Sequence, residues 1–233
     1  MKTFYAVAGF IYGTILASHA GLLAYRLPRK ETVIRGRSHC ETCGRVLSWW
    51  ELLPILGFIL VKGRCRYCGR RIPLRYPLTE ILLGLISAWL LAENHFSLTY
   101  LRGMIILTLG LAAALSDLEK RVIPDPFSIT LAAAGVFFWW LDGRWLEPLA
   151  GAMLALPLTL LAYIYPQSMG GGDVKFVSAL AAAMGVAAGA KALSFAFILG
   201  GALALVLKLK GEHHEGLPLA PFLFAGAAFA LLL

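Results

Sequence analysis

The chain has 233 residues, of which 59% are hydrophobic and only 15% are charged. Soluble domains contain roughly 45–50% apolar and about 25% charged residues, and a small domain leaves much of its surface in water. This composition excludes an ordinary soluble domain and indicates a protein that lies in the lipid bilayer. The net charge is +8, but 12 of the 21 basic residues lie between Arg26 and Arg75. A nucleic-acid-binding protein needs a basic face on a folded domain, so this concentration argues against that class.

Eight apolar runs are candidates for membrane spans, which need about 20 predominantly apolar residues. The first, Thr3–Tyr25, is too long for a signal peptide and lacks a cleavage site of small residues, so we interpret it as a membrane anchor. The boundary between the sixth and seventh runs, near residues 185–191, is the least marked. We expect an all-α polytopic membrane protein with about eight transmembrane helices. The other seven runs are Pro77–Ala92, Leu101–Ser116, Phe127–Leu141, Leu146–Tyr165, Val174–Ala190, Ala192–Leu207 and Leu217–Leu233.

A polar and basic stretch at residues 26–75 divides the chain. A first transmembrane helix at residues 1–25 precedes this loop module, and a transmembrane core at residues 76–233 follows it. Lys and Arg accumulate in the cytoplasmic loops of membrane proteins. With the loop module in the cytoplasm, eight spans put 17 of the 21 basic residues on the inner side of the membrane and four on the outer side. The sequence therefore predicts a cytoplasmic loop module and two termini on the outer side.

The loop module contains two CxxC motifs separated by 21 residues, and a glycine follows each motif. Four thiolates can surround a tetrahedral Zn²⁺ ion, and Gly44 and Gly69 permit the tight turns that direct the sulfurs inward. Because sulfur fills all four positions, none remains for a catalytic water, and the expected ion is structural. Redox-active dithiols and free cysteines are the alternatives, whereas a reducing cytoplasm disfavours disulfides. The expected zinc ligands are Cys40, Cys43, Cys65 and Cys68.

Two aspartates stand at the ends of predicted spans, where ionisable residues are costly and usually functional. Asp117 ends the third run and Asp173 begins the sixth, so the predicted topology puts both at the cytoplasmic face. Two carboxyl groups that share one proton can hydrolyse a peptide bond. The ionised group takes a proton from water, and the protonated group polarises the carbonyl. The glycines before Asp173 leave room for an extended substrate and permit positive φ; they are Gly170, Gly171 and Gly172.

Each aspartate also has a purely structural interpretation. Asp117 can be an ordinary interfacial acid beside basic residues, and Asp173 can be a helix N-cap. Asp125, followed by Pro126, fits an N-cap with proline at the first helical position.

Three other features have more than one interpretation. The apolar stretch at residues 49–61 packs on the zinc module or lies flat on the membrane, or it forms a surface for substrate or cofactor. Glu80 lines the active-site cavity or contacts the loop module, or it is an interfacial salt-bridge partner. Lys175 either acts on Asp173 or extends toward lipid headgroups, and we favour the second.

The segments around the aspartates resemble those of bacterial type IV prepilin (leader) peptidases, which are membrane aspartic peptidases of the GxGD type. The segment Asp117–Asp125 ends in Ile-Pro-Asp and is similar to the family's first aspartate motif, and Gly170–Lys175 matches its GxGD motif. The four cysteines agree as well, as do Tyr25–Pro28, Gly63–Arg66 and Arg75–Glu80. The resemblance covers nearly the whole chain.

The resemblance implies that Asp117 and Asp173 are catalytic. It also implies that the protein removes a short basic leader from prepilins or pseudopilins at the cytoplasmic face of the bacterial inner membrane. Many members then methylate the new N-terminus with S-adenosylmethionine, an activity associated with the cysteine-bearing loop. Type IV pili, type II secretion and competence are all open as the system served. A non-catalytic membrane scaffold built on the zinc loop and a proton-coupled transporter are the alternative functions.

Four positions or segments depart from the family's pattern. Ala17–Gly21 lacks the asparagine usual in the first span, Glu41 stands where proline is common, and Leu52–Pro54 replaces Asn-Ile-Pro. Leu217–Phe222 replaces the more usual Pro-Phe-Gly-Pro. Both aspartates are unchanged, so the expectation of peptidase activity stands. The changes in and beside the loop weaken the expectation of methyltransferase activity.

Overall fold

The computed structural model describes residues 1–165, 169–211 and 216–233. These residues form nine α-helices and two short 3₁₀ helices, and the β-structure among them is limited to two isolated bridges, His39–Val46 and Arg64–Arg71. The expectation of an all-α protein is confirmed for this described part of the chain. The chain divides into two compact units, Met1–Ser97 and Leu98–Leu233.

The N-terminal unit consists of two long apolar helices and the loop module that joins them. A short helix, α2, lies between the two cysteine motifs. The elements are α1 (Lys2–Arg26), a 3₁₀ helix (Leu27–Arg29), a second 3₁₀ helix (Trp49–Leu52), α2 (Leu56–Leu60) and α3 (Arg75–Asn94).

Helices α1 and α3 pack against each other in an antiparallel orientation. Lys2 forms an ion pair with Glu93 at 2.9 Å, whereas Gly13, farther along α1, lies against Leu83. A Cβ atom on Gly13 would lie 2.5 Å from the carbonyl oxygen of Leu83, so this glycine lets the two backbones approach closely. Small residues have this role in membranes, where burial of apolar surface does not drive helices together.

The described residues of the C-terminal unit form six α-helices. Helix α8 packs against α5, α6 and α9, and α4 packs against α5 and α9. The helices are α4 (Leu98–Lys120), α5 (Asp125–Leu141), α6 (Glu147–Met153), α7 (Leu156–Ile164), α8 (Gly171–Leu209) and α9 (Ala220–Leu232).

Five helical stretches of the described residues are long and apolar enough to cross a membrane, and α5 and α9 are shorter apolar helices. The fifth predicted run is divided into α6 and α7, because Pro157 in the first turn of α7 has no N–H to continue a helix from the preceding residues. The total of eight spans goes beyond these findings and stays a prediction. The five stretches are Lys2–Arg29, Arg75–Asn94, Leu98–Lys120, Glu147–Ile164 and Gly171–Leu209.

Helix α8 is interrupted at Gly185, whose φ of 77° and ψ of 178° are not helical. Neighbouring side chains satisfy the backbone groups beside the break. Trp139 Nε1 donates to the carbonyl of Ala183 at 3.2 Å, and the N–H of Val186 donates to Glu147 Oε2 at 3.2 Å. The weakly marked boundary expected between the sixth and seventh runs therefore corresponds to a break at Gly185, the first residue of the range considered.

Candidate active site and metal centre

A cavity of about 320 Å³ in the C-terminal unit brings the two predicted aspartates together. Asp117 reaches it from the C-terminal end of α4, and Asp173 from the first turn of α8. The turn between α4 and α5 forms another part of the wall through Arg121, Val122, Ile123 and Asp125, and Gly170 and Gly172 complete it.

Asp117 is buried, with 5% of its surface exposed. Its Oδ2 atom accepts a hydrogen bond from the backbone N–H of Ala220 at 3.0 Å, at the first residue of α9. The positive end of a helix dipole favours a carboxylate at this position. Ala220 belongs to Leu217–Phe222, a segment that departs from the family's pattern. That segment therefore contacts one of the two aspartates, Asp117. Because the donor is a backbone group, the change of side chains in Leu217–Phe222 leaves the contact in place.

Asp173 is the third residue of α8 and is half-buried. Gly170 is the N-cap residue, and no side chain among the described residues caps this helix. The N-cap interpretation of Asp173 is therefore wrong. Asp173 and Asp117 line the same cavity. Two carboxyl groups that face one cavity are the arrangement that a shared proton requires.

The three glycines before Asp173 differ in their surroundings. A Cβ atom on Gly170 would lie 3.1 Å from Asp173 Oδ2, and one on Gly172 would lie 3.2 Å from the carbonyl oxygen of Ile123. A Cβ atom on Gly171 would meet no atom of the described residues within 4 Å. None of the three has a positive φ. The two glycines of the GxGD pattern thus allow close packing around Asp173, and the open position lies between them.

The turn after α4 is fixed by hydrogen bonds that the sequence did not indicate. Ser116 Oγ donates to the carbonyl of Val122 at 2.6 Å. Arg121 has a φ of 55°, and its N–H donates to the carbonyl of Asp117 at 2.9 Å, so it ends the helix in a left-handed conformation. The Arg121 guanidinium donates to the carbonyl of Gly216 at 3.1 Å. Arg121, counted from the sequence only as a cytoplasmic charge, is thus a cavity residue.

Lys175 pairs with Asp125 at 2.9 Å, and both side chains are exposed. The favoured interpretation, in which Lys175 extends toward lipid headgroups, is not what the structure shows. Asp125 is the first residue of α5 and forms no capping bond with its side chain. Its N-cap interpretation is also wrong. An exposed pair of this kind stabilises a fold by about 0–1 kcal/mol, so it contributes little to holding the beginnings of α5 and α8 together.

The four cysteines of the N-terminal unit form one cluster, in which all sulfur atoms lie within 4.8 Å of one another. The two motifs repeat the same turn. The N–H of Cys40 donates to the carbonyl of Arg45 at 2.9 Å, and the N–H of Cys65 donates to the carbonyl of Arg70 at 2.8 Å. The glycines that follow the two motifs both have a φ of +69°. The structure thus contains the glycine turns expected at Gly44 and Gly69.

The donor set fits a tetrahedral metal ion. Four sulfurs about 2.3 Å from zinc would be about 3.8 Å apart, and Cys40 Sγ and Cys68 Sγ are 3.9 Å apart. Hydrogen bonds from the backbone N–H groups of Cys68 and Tyr67 lower the pKa of the Cys65 thiol to about 7, whereas desolvation and the neighbouring sulfurs raise the pKa of Cys68 to about 11. A metal ligand must be the thiolate, so the surroundings favour the binding form at Cys65. The cluster can therefore bind a metal ion.

A second cavity, of about 410 Å³, lies in the N-terminal unit beside the cysteine motifs. Tyr76 donates to Glu41 Oε1 at 2.6 Å, which ties the first motif to α3. Buried Glu80 accepts a hydrogen bond from the N–H of Ile55 at 2.7 Å. Of the interpretations of Glu80, contact with the loop module is the one that the structure contains. This volume lies within the range of roughly 300–1,000 Å³ that is usual for small-molecule sites.

Comparisons with known proteins agree with the resemblance. Residues 11–94 match a family model described as the bacterial peptidase A24 N-terminal domain, and residues 104–205 match the type IV leader peptidase family. No solved structure matches this chain.

Several relatives carry the name prepilin leader peptidase/N-methyltransferase. The relative from Bacillus subtilis (strain 168) is 32% identical over 228 residues, which cover 96% of this chain and 92% of the relative. The relative from Burkholderia pseudomallei (strain K96243) is 33% identical over 220 residues, covering 88% and 70%. The one from Klebsiella pneumoniae is 30% identical over 194 residues, covering 76% and 83%. The chain belongs to the type IV leader peptidase family.

Proposed function

We propose that this protein is a membrane aspartic peptidase in which Asp117 and Asp173 activate the water that cleaves the leader from prepilins or pseudopilins. One observation carries the proposal: carboxyl groups from two different helices line a single cavity beside the glycines of a GxGD motif. A scaffold would not need that arrangement, and membership of a peptidase family disfavours a transporter.

The chemistry requires two roles from the pair. The ionised carboxylate takes a proton from water, and the resulting hydroxide attacks the scissile carbonyl carbon. The protonated carboxyl group donates a hydrogen bond to the carbonyl oxygen and stabilises its developing negative charge. The C–N bond then breaks as the leaving nitrogen takes up a proton, and one proton is again shared by the dyad. The Ala220 N–H orients Asp117 throughout.

The proposed location is the bacterial inner membrane, with the chain crossing the bilayer about eight times. The basic loop module and the dyad face the cytoplasm, and both termini lie outside. The distribution of Lys and Arg supports this orientation. A basic leader would reach the dyad from the cytoplasmic side, where prepilins are synthesised.

A cleavage assay with the purified protein tests the function. The protein in lipid nanodiscs is incubated with a prepilin that carries a basic leader, and the products are identified by mass spectrometry. We expect a single cut that releases the leader. An intact substrate, under conditions in which another member of the family cleaves it, would contradict the proposal.

We further propose that the cysteine cluster binds one structural Zn²⁺ ion. The loop module has few other means of holding its two turns together, because the described part of it contains only short helices and two isolated bridges. Bound zinc supplies cross-links between the two motifs, and its binding free energy is then folding free energy. Cys40, Cys43, Cys65 and Cys68 would be the four ligands.

Replacing one ligand is expected to remove the metal. Cys65→Ser should lower the zinc content of the purified protein from about one ion per chain to near zero, since a hydroxyl is a poor substitute for thiolate. Elemental analysis measures this content. Arg66→Gln, which changes the adjacent charge but no ligand, should retain the metal. Equal zinc in Cys65→Ser and in the unchanged protein would refute the site.

The cavity beside the cysteine motifs supports a second activity, methylation of the new N-terminus. S-adenosylmethionine would supply an electrophilic methyl group there. Carboxylates such as Glu41 and Glu80 in the cavity wall would attract its positive charges, and Tyr25, Phe58 and Tyr76 offer aromatic surface. In the cleavage assay, added S-adenosylmethionine should increase the mass of the mature product by one methyl group. An unchanged mass would mark the protein as a peptidase only.

A further inference from the structure

The stretch between the two cysteine motifs, Trp49–Val61, carries an unusual amount of exposed apolar surface. We call it the apolar arm. Trp49 is 74% exposed, Leu56 is 57% exposed, and Ile59 and Leu60 are each 60% exposed. These residues lie outside the helical stretches that are long enough to span a membrane. A group of large apolar side chains on a water-facing loop is unfavourable and indicates a binding surface.

The arm is folded, so its exposure is not a consequence of missing structure. Ser48 and Glu51 form a capping box, with the N–H of Ser48 donating to Glu51 Oε2 at 2.7 Å. Gly57 is buried, and its N–H donates to the carbonyl of Leu53 at 2.7 Å. The arm therefore presents its apolar side chains from a defined backbone.

One hydrogen bond fixes the arm relative to α3. Ile55 has a φ of 62°, a conformation that is unfavourable for a residue with a branched side chain. Its N–H donates to Glu80 Oε2 at 2.7 Å. Glu80 lies five residues after Arg75, the first residue of α3. At 1.5 Å per residue this is about 8 Å along the helix.

With the start of α3 taken as the membrane surface, this distance equals the depth at which interfacial segments lie. Amphipathic helices bury their apolar faces about 5–10 Å into the boundary between headgroups and acyl chains. Since α3 is apolar enough to cross the bilayer and begins at Arg75, the arm lies beside the first turns of a membrane helix.

The charge around the arm is complementary to an anionic surface. Residues 26–75 contain 12 basic and three acidic residues. Lys62 follows the arm directly, and the guanidinium of Arg66 lies 5.6 Å from the ring centre of Trp50. Each Lys or Arg near an anionic membrane surface strengthens the attraction of the protein to that surface.

We propose that the apolar arm inserts into the headgroup region of the anionic bilayer that the protein spans, and so holds the cysteine module at the membrane surface. Leu56, Ile59 and Leu60 would enter the upper acyl region, and the basic residues around the arm would contact lipid phosphates. This inference is independent of the proposed peptidase and methyltransferase activities.

Photo-crosslinking in nanodiscs tests the proposal. A benzophenone amino acid is introduced at position 56 or 59 of the full chain, and adducts are identified by mass spectrometry after irradiation without substrate. We expect lipid adducts at both positions. Position 46 is the matched control, because Val46 is an apolar residue of the same loop and is 43% exposed. There we expect little lipid adduct. Unchanged zinc content shows that each variant is folded.

The partner of the cross-link decides the outcome. Adducts to a second copy of the chain, or to residues 98–233 of the same chain, would overturn the proposal, as would equal lipid labelling at positions 46 and 59. The requirement for anionic lipid is tested separately. The yield of lipid adducts at position 59 should fall when anionic lipids are replaced by zwitterionic ones. An equal yield in both kinds of bilayer would refute the requirement for anionic lipid.

Discussion

Asp117→Asn and Asp173→Asn should each lower the rate of leader cleavage by about 10³-fold, since proton transfer by a positioned side chain contributes roughly 10²–10⁴-fold. Asparagine keeps the size of the side chain and an oxygen that can accept the Ala220 N–H, but it can neither take nor give the proton. The turnover number is measured with the purified variants in nanodiscs. The double variant should be little worse than either single one, because the carboxyl groups act as a unit.

Glu119→Gln is the matched control for this experiment. Glu119 is an acid on the same helix, two residues after Asp117, and it is not part of the cavity wall. We expect cleavage close to that of the unchanged protein. Normal cleavage by either asparagine variant would refute the dyad, and a large loss in Glu119→Gln would show that charge at the end of α4 matters instead.

The helices were predictable because the composition of a membrane span is a local signal. Seven of the eight apolar runs correspond to single helices or to segments of one helix, and the predicted run Thr3–Tyr25 differs from α1 by one residue at each end. The break at Gly185 was harder to locate. It depends on Trp139 and Glu147, which are distant in the sequence and satisfy the interrupted backbone.

The cysteine cluster was predictable for a related reason. The spacing within each CxxC motif and the glycine after it determine a local turn, and the two turns need only meet to bring four sulfurs together. The contact between Ile55 and Glu80 could not be predicted in the same way. It joins a backbone N–H with a strained φ to a carboxylate 25 residues away, and neither partner has a sequence pattern that identifies the other.

The contacts around the two aspartates could not be predicted from the sequence either. The sequence indicated which two acids would matter, since few acids lie at the ends of apolar runs. It did not indicate that Ala220 would donate to Asp117, or that Lys175 would pair with Asp125. Those contacts depend on how α5, α8 and α9 pack. A backbone N–H is present in every residue except proline, so the sequence does not reveal which one donates.

Replacing Gly170 or Gly172 before Asp173 is expected to lower the turnover number for leader cleavage. Gly170→Ala should reduce the turnover number by roughly several-fold, because misplacing a catalytic group by about 1 Å costs about 10²-fold and the added Cβ requires a shift of only a few tenths of an ångström. The added Cβ would lie 3.1 Å from Asp173 Oδ2 and displace the carboxylate. Gly172→Ala should also reduce it, since its Cβ would press on the carbonyl of Ile123 at 3.2 Å. Cleavage kinetics and thermal stability are measured for each variant.

Gly171→Ala separates the two possible uses of these glycines. A Cβ there meets no atom within 4 Å in the part of the chain that the structure describes, and alanine in the first turn of a helix loses less conformational freedom than glycine. If the glycines serve only to pack the backbone around Asp173, this variant keeps its activity and its stability. If it instead loses activity while remaining folded, the open space over Gly171 is the path by which the substrate backbone reaches the dyad. Because Gly170 and Gly172 are packed and Gly171 is open, we expect Gly171→Ala to keep its activity. A raised KM in this variant would instead indicate that the substrate backbone passes over Gly171.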